Sequence, residues 1–213
     1  MTRTCAAAVV LAAGQSRRMG RPKMILPWGQ TTVIGQVVSV LFEAGVSQVV
    51  VVTGGAGAQV AEALQGQPVR LVENPAYADG EMLSSVQVGL AALPDDCPAA
   101  LIVLGDQPQI EVGVVKALLA RYCAGASALI VPSYQMRRGH PICLPRAVWP
   151  AVLALSWQDS LRSLWTSLAG QIEHITLDSP TILSDMDTPD DYLREVGASV
   201  TDGHDLSPTE RPA

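Results

Sequence analysis

Four cations, Arg17, Arg18, Arg21 and Lys23, fall within seven residues just beyond the apolar run Ala8 to Leu11, and Gly14 and Gly20 lie among and before them. Glycine reaches backbone conformations closed to other residues, so amide N–H groups in such a stretch can turn toward one anion. The cations then put charge where a triphosphate needs it. Phosphate binding is the chemistry this stretch suggests. Two well-known phosphate loops are excluded by spacing. A Walker loop needs GxxxxGK followed by Ser or Thr, whereas five residues separate Gly14 from Gly20 and Lys23 is followed by Met24. A dinucleotide fingerprint needs GxGxxG, and Gly14-Gln15-Ser16 breaks it at the second glycine.

Acids supply the second half of the chemistry. The apolar run Ala99 to Leu104 ends in Gly105-Asp106-Gln107-Pro108, and a carboxylate at the C-terminal end of a buried parallel strand sits where open α/β sheets bind their ligands. Asp106 is therefore the expected Mg²⁺ ligand, since Mg²⁺ takes one or two carboxylates and completes its shell with water and phosphate oxygens. Capping of the next helix is the plainer role for the same residue. Asp185 and Asp187 precede Thr188-Pro189-Asp190-Asp191, which reads as an N-cap, a first helical proline and a third-position acid. On an extended segment Asp185 and Asp187 point to one side, an arrangement that is costly without a cation between them. Ser84 and Ser85 start a helix, where a hydroxyl can cap the helix or meet an anion.

Elements that would position these groups follow from the apolar pattern. Strands are expected at Ala8–Leu11, Val49–Val52, Val69–Val72, Ala99–Leu104, Leu129–Val131, Gly139–Leu144 and Ile172–Leu177. Helices are expected over Thr32–Ala44, Ala56–Leu64, Leu83–Ala92, Glu111–Ala124, Arg146–Leu155 and Asp159–Leu168, with Gly45 ending the first. Such alternation implies an α/β fold: a three-layer αβα, Rossmann-like architecture with a mostly parallel sheet. The hairpin through Pro132–Arg138 adds an antiparallel part. Trp149, Trp157 and Trp165 crowd into one region, which reads as core packing.

Composition agrees with that architecture. In 213 residues, 48% are hydrophobic but only 4% aromatic, so Val, Leu, Ala and Ile must build the core, as in a sheet covered on both faces. A net charge of −6 argues against nucleic-acid binding. Cys5, Cys97, Cys123 and Cys143 form no CxxC pair, and reduced thiols in a cytoplasmic protein are expected. The opening MTRTCAAAVVLAAG has one Arg before an apolar run, but that run is short and flows into the glycine loop, so it reads as a first strand rather than a leader. No apolar stretch reaches the roughly 18 to 20 residues of a membrane span. Residues 1–198 read as a single domain, and the polar SVTDGHDLSPTERPA over 199–213 reads as a disordered tail.

The run LAAGQSRRMGRPK resembles the signature of the MobA-like nucleotidyltransferases, L-A-(A/G)-G-x-S-x-R-M-G-x-x-K, at all thirteen positions. NPAYADGEMLSSVQVGL is similar to that family's N-P-x-x-x-x-G-M-x-x-S-v-x-x-G-L stretch, with Glu81 inserted ahead of Met82, and LIVLGDQP, RRGHPICLP and SDMDTPDDY resemble its later blocks. The resemblance implies the nucleotide-diphospho-sugar transferase type of fold and metal-dependent nucleotidyl transfer. It implies nucleotide binding by Leu11, Ala12, Ala13, Gly14, Ser16, Arg17, Gly20, Lys23, Gly54, Asn74, Ser84 and Ser85. Arg18, Lys23 and Asp106 would be catalytic, and Mg²⁺ would lie on Asp106 with Asp185 or Asp187. Within the family the likeness leans to the cytidylyltransferases that form molybdopterin cytosine dinucleotide from CTP. Their LAAG, matched by Leu11-Ala12-Ala13-Gly14, places a methyl at Ala13 that narrows the space for a base and favours a pyrimidine over GTP or another nucleoside triphosphate. A molybdopterin-type acceptor, and a molybdoenzyme or its chaperone as recipient, are the partners this implies.

Acceptor contacts are expected at His140, Asp159 and Arg162. His140 has no second His or Cys at ligand spacing, so orienting the acceptor or a structural role suits it better than metal binding. The family's acceptor block G-D-x-G-x-R reads here as Gln158-Asp159-Ser160-Leu161-Arg162, keeping Asp159 and Arg162 but losing both glycines. A sugar or polyol phosphate is thus an alternative acceptor, and a non-catalytic nucleotide-binding chaperone for a molybdoenzyme is an alternative of another class.

Overall fold

Strict alternation along the first strand sets the layers of the molecule. The computed structural model describes residues 6–79, 82–156, 168 and 170–201. In β1 (Ala7–Ala12), Ala8, Val10 and Ala12 face one side of the sheet while Ala7, Val9 and Leu11 face the other. Every one of the six is buried, as a strand covered on both faces requires.

Helix α1 (Val33–Glu43) starts where the Thr32 hydroxyl accepts from the Gly35 N–H at 3.1 Å, and Gly45 at φ +93 follows its C-terminal end. The threonine therefore caps the helix from outside rather than forming its first residue. Strand β4 (Val49–Thr53), helix α2 (Gly57–Ala63), strand β5 (Val69–Glu73), helix α3 (Met82–Ala91), strand β6 (Ala99–Leu104) and helix α4 (Val112–Cys123) follow in alternation. Residues from α1, α2 and α4 pack with one face of the sheet. Those of α3 and of α5 (Trp149–Ala154) pack with the other. The three-layer expectation holds.

The sheet runs β10-β7-β9-β6-β1-β4-β5, with β7 at Leu129–Tyr134, β9 at Ile142–Pro145 and β10 at Ile172–Thr176. Parallel pairing joins β6, β1, β4 and β5, and also β7 with β10, whereas β9 lies antiparallel between β6 and β7. A short β8 (Arg137–Arg138) pairs back on β7. The antiparallel addition is thus present, but β9 pairs with β7 only at Cys143 and Ile130 and mainly with β6.

Two local features depart from the sequence expectation. A two-stranded hairpin, β2 (Pro27–Trp28) with β3 (Thr31–Thr32), stands in a stretch where no strand was expected. Trp28 packs there with Met19, Leu26, Val33 and Met186 in a third apolar cluster, joined by Tyr192 and Val196 of α6 (Pro189–Thr201). Cys97 and Cys143 are free and buried, but Cys123 is disulfide-bonded, which corrects the expectation of reduced thiols throughout. Spacing in sequence gave no sign of this bond, because Cys123 belongs to no CxxC pair. Trp149 is buried and donates to the Leu144 carbonyl at 3.1 Å, a core role as expected, while Trp157 and Trp165 lie outside the described residues. Among the described residues no helix is long and apolar enough to cross a membrane.

Candidate active site

Strands β1 and β6 are neighbours in register, so their C-terminal ends deliver the basic loop and Asp106 to one place. After β1 the chain makes a short helical turn over Arg17–Met19 and a second over Lys23–Ile25. Gly20 has φ +65, the left-handed conformation expected of it. Gly14 is not left-handed; Ser16 is, at φ 49, and its hydroxyl accepts from the Lys23 N–H at 3.1 Å. That bond fixes the base of Lys23.

The acids arrive from elsewhere. In the capping box at the start of α6, the Thr188 hydroxyl accepts from the Asp191 N–H at 3.2 Å and the Asp191 carboxylate accepts from the Thr188 N–H at 2.9 Å. Asp191 also accepts from the Asp187 N–H at 3.3 Å, so the expected cap holds Asp187 in place. Upstream, the Gln109 amide donates to the Ser184 carbonyl at 2.8 Å and the His140 N–H to the Ile182 carbonyl at 3.0 Å. Gly139 permits this approach: a Cβ there would lie 2.3 Å from the Ile182 oxygen.

Lys23 joins the two halves. Its ammonium donates to Asp106, to Asp187 Oδ1 at 3.1 Å and to the Met186 carbonyl at 3.1 Å, with only 10% of the side chain exposed. Burial by itself would lower its pKa, but Asp106 and Asp187 outweigh burial and hold it above the ordinary lysine value. Arg18, 69% exposed, pairs with the other oxygen of Asp187 at 2.8 Å. Burial works to raise the Asp187 carboxyl, yet the lysine and arginine together bring it below the usual range. Asp185 is raised, first by burial and then by Asp106 and Asp187, against the opposing hydrogen bond from Gln107 at 2.7 Å.

A cavity of about 390 Å³ lies between these groups. Leu11, Ala13, Gly14, Arg18 and Lys23 line it from the basic side, and Asp106, Asp185 and Asp187 from the acidic side. Met24, Leu104, Tyr77, Met82 and Ser85 complete the wall. An adjoining cavity of about 430 Å³ adds Gln15, Ser16, Arg17 and Ala78. Gln15 bridges the two loops there, donating to the Ala78 carbonyl at 2.9 Å and accepting from Arg17 at 2.8 Å.

Other expected residues fall around this center rather than in it. Ala12 is buried in the sheet, and Gly54 lines a separate cavity of about 540 Å³ that shares only Tyr77 with the first. Asn74 is buried and donates to the Ser84 and Ser85 hydroxyls at 2.9 and 3.0 Å, which orients the helix start from behind. Of those two serines only Ser85 reaches the cavity. His140 does not line it; its Nε2 is sealed from solvent without a partner, and burial takes its pKa down to about 4 although Asp106 pulls the other way. Asp159 and Arg162 lie outside the described residues. Sequence reasoning passed over Gln107, Gln15 and Tyr77. Gln107 carried a signal, since it directly follows the strand-end acid.

The donor set suits a hard cation. Carboxylate oxygens from Asp106, Asp185 and Asp187 face one cavity, and an ammonium is drawn into their midst. Among the described residues no three acidic, histidine or cysteine side chains form a ready metal cage. A partial set completed by phosphate oxygens is what Mg²⁺ ordinarily uses.

Comparison with known proteins adds the family. Residues 8–173 match the MobA-like NTP transferase domain. The chain is 27% identical over 187 residues to the molybdenum cofactor cytidylyltransferase of Escherichia coli K12, covering 87% of this chain and 92% of that protein. It is 34% identical over 155 residues to the nicotine blue oxidoreductase of Paenarthrobacter nicotinovorans, covering 70% and 74%. The crystal structure of Rv0371c from Mycobacterium tuberculosis H37Rv, a complex with manganese, superimposes with a TM-score of 0.71 at 30% identity, covering 91% of this chain and 98% of that one.

Proposed function

The chain belongs to the MobA-like NTP transferase family and is a nucleotidyltransferase, and we propose that it transfers the cytidylyl group of CTP to molybdopterin in a Mg²⁺-dependent reaction. Molybdopterin cytosine dinucleotide and pyrophosphate are the products. One observation carries the reading: the cations of the β1 loop and the acids Asp106, Asp185 and Asp187 line a single cavity. A nucleoside triphosphate needs both, positive charge for its phosphates and a carboxylate-held cation beside them.

In this scheme an acceptor oxygen forms a bond to the α-phosphorus while the bond from that phosphorus to the bridging oxygen breaks and pyrophosphate leaves. Arg18 and Lys23 bind the triphosphate and stabilise charge on the departing part. Gly14 and Ser16 bring backbone close to the phosphates. Asp106, with Asp185 or Asp187, holds Mg²⁺, which when bound neutralises the phosphate oxygens and aligns them with the acceptor. Ala13 sits in the cavity wall, where its methyl narrows the base site toward a pyrimidine. His140, Asp159 and Arg162 serve the acceptor side, with His140 acting from behind through the Ile182 segment.

A second reading keeps the nucleotide and changes the acceptor. Gln158 and Leu161 stand where the family's acceptor glycines are expected, and larger side chains there favour a sugar or polyol phosphate over a bulky pterin. Incubation of the protein and Mg²⁺ with CTP, GTP or ATP and each acceptor, followed by pyrophosphate release, separates the readings. Release with CTP and molybdopterin is expected. Release only with a sugar phosphate transfers the assignment to that acceptor, and release only with GTP removes the cytidylyl part.

A further inference from the structure

The ammonium of Lys23 occupies the place among the acids that a cation would claim. It meets Asp106, Asp187 Oδ1 and the Met186 carbonyl, an oxygen-only set, and only 10% of its side chain is exposed. We propose that Lys23 is a built-in counter-cation that blocks the divalent cation from Asp106 until a triphosphate draws its ammonium away, so that cation and nucleotide enter together. This rests on the nucleotidyl-transfer reading above.

Charge makes the exchange necessary. Asp106, Asp185 and Asp187 contribute −3 to the cavity wall, and Arg18 and Lys23 contribute +2, which leaves −1. A divalent cation arriving alone meets an ammonium on its ligand and would leave that largely buried ammonium without its carboxylate partner. A triphosphate removes both obstacles, because its oxygens accept the ammonium and also complete the cation's shell. Lys23 can make this move without disturbing the loop. Its backbone N–H stays on the Ser16 hydroxyl while the long side chain swings. Asp187 need not be left unpaired, since Arg18 already holds its second oxygen at 2.8 Å from the solvent side.

Titration of the whole chain with Mn²⁺, followed by the electron paramagnetic resonance of the free ion, tests the exchange without turnover. Wild type, Lys23→Met, Lys23→Gln and Arg18→Met are compared, each confirmed folded by circular dichroism. The Gln variant keeps a donor for Asp106 and the Met186 carbonyl and serves should the Met variant not fold. With Mn²⁺ alone, both Lys23 variants are expected to bind about tenfold more tightly than wild type or better, within the usual range of coupling between sites. Arg18→Met removes the same charge from the exposed side of Asp187, away from Asp106, and is expected to gain less than about threefold. Wild type is expected to regain tight Mn²⁺ binding with α,β-methylene CTP. Lys23 variants no tighter than wild type would overturn the proposal, and so would an equal gain in Arg18→Met, which would reduce the effect to the general field. If wild type binds neither the analogue nor Mn²⁺ in its presence, the nucleotidyl-transfer reading fails instead, and the comparison with Mn²⁺ alone still decides the role of Lys23.

Discussion

The basic loop from Ala13 to Lys23 and the acidic segment from Ile182 to Asp187 face the same cavity, but they are held there by different means. The loop is fixed largely from within, by two helical turns, a left-handed Ser16 and Gly20, and the Ser16 hydroxyl on the Lys23 N–H. The segment is pinned from outside, by Gln107, Gln109, Gly139, His140 and Lys23, drawn from places far apart in the chain. Cationic side chains there can change partner while their backbone stays still. Acids held by several distant contacts have little such freedom, which makes them the fixed half of the site.

Removing an acid should therefore cost more than removing any clamp. Asp106→Ala is expected to lower turnover by about 10² to 10³-fold in a purified pyrophosphate-release assay. Turnover at the wild-type rate would remove Asp106 from the proposed chemistry.

His140 gives the segment a pH dependence in the acid range. Its folded pKa of about 4 lies below the ordinary 6.5, so the unfolded chain takes up the proton first as pH falls. This contribution is fully present above pH 6.5 and is lost progressively toward pH 4, at about 1.4 kcal/mol per pH unit and about 3 kcal/mol in all. Urea unfolding at pH 7 and pH 4.5 should show a shallower loss for His140→Asn than for wild type. Equal slopes would mean that the ring is not kept neutral by burial.

Two alanine substitutions sharpen the contrast directly. Gly139→Ala puts a Cβ 2.3 Å from the Ile182 oxygen and should cost about 1 to 3 kcal/mol in thermal unfolding. Gly14→Ala, with no atom within 4 Å of the new Cβ, should stay within about 0.5 kcal/mol. Equal losses would erase the distinction between the clamped segment and the open loop. Gln107→Ala removes the donor that opposes the upward shift of Asp185. Calorimetric affinity for CTP with Mg²⁺ should fall by about tenfold, because Asp185 loses the amide that holds its carboxylate in place.

Much of the fold could be read from periodicity, because β1 and β6 are apolar at every position and the helices between strands carry clear apolar faces. The Thr188 to Asp191 cap was equally legible, since all of its contacts lie within a few residues. Asp106 stood out for a related reason: it follows a buried strand at the first turn. By contrast, Gln109 gave no sign of clamping residue 184, Gln107 none that its partner would be Asp185, and His140 none that it would sit behind the site, because those contacts span 40 residues or more.

Taken alone, the amino-acid sequence determined the strand-and-helix alternation, the phosphate-binding character of the first loop and the family resemblance, all properties carried by neighbouring residues. Only the tertiary structure decided that Lys23 sits among Asp106, Met186 and Asp187, and that Gly54 and His140 stand outside the cavity that Gly14 and Asp106 share. Backbone periodicity fixes what a segment becomes, whereas a charged side chain settles beside whichever opposite charge the packed sheet brings within reach.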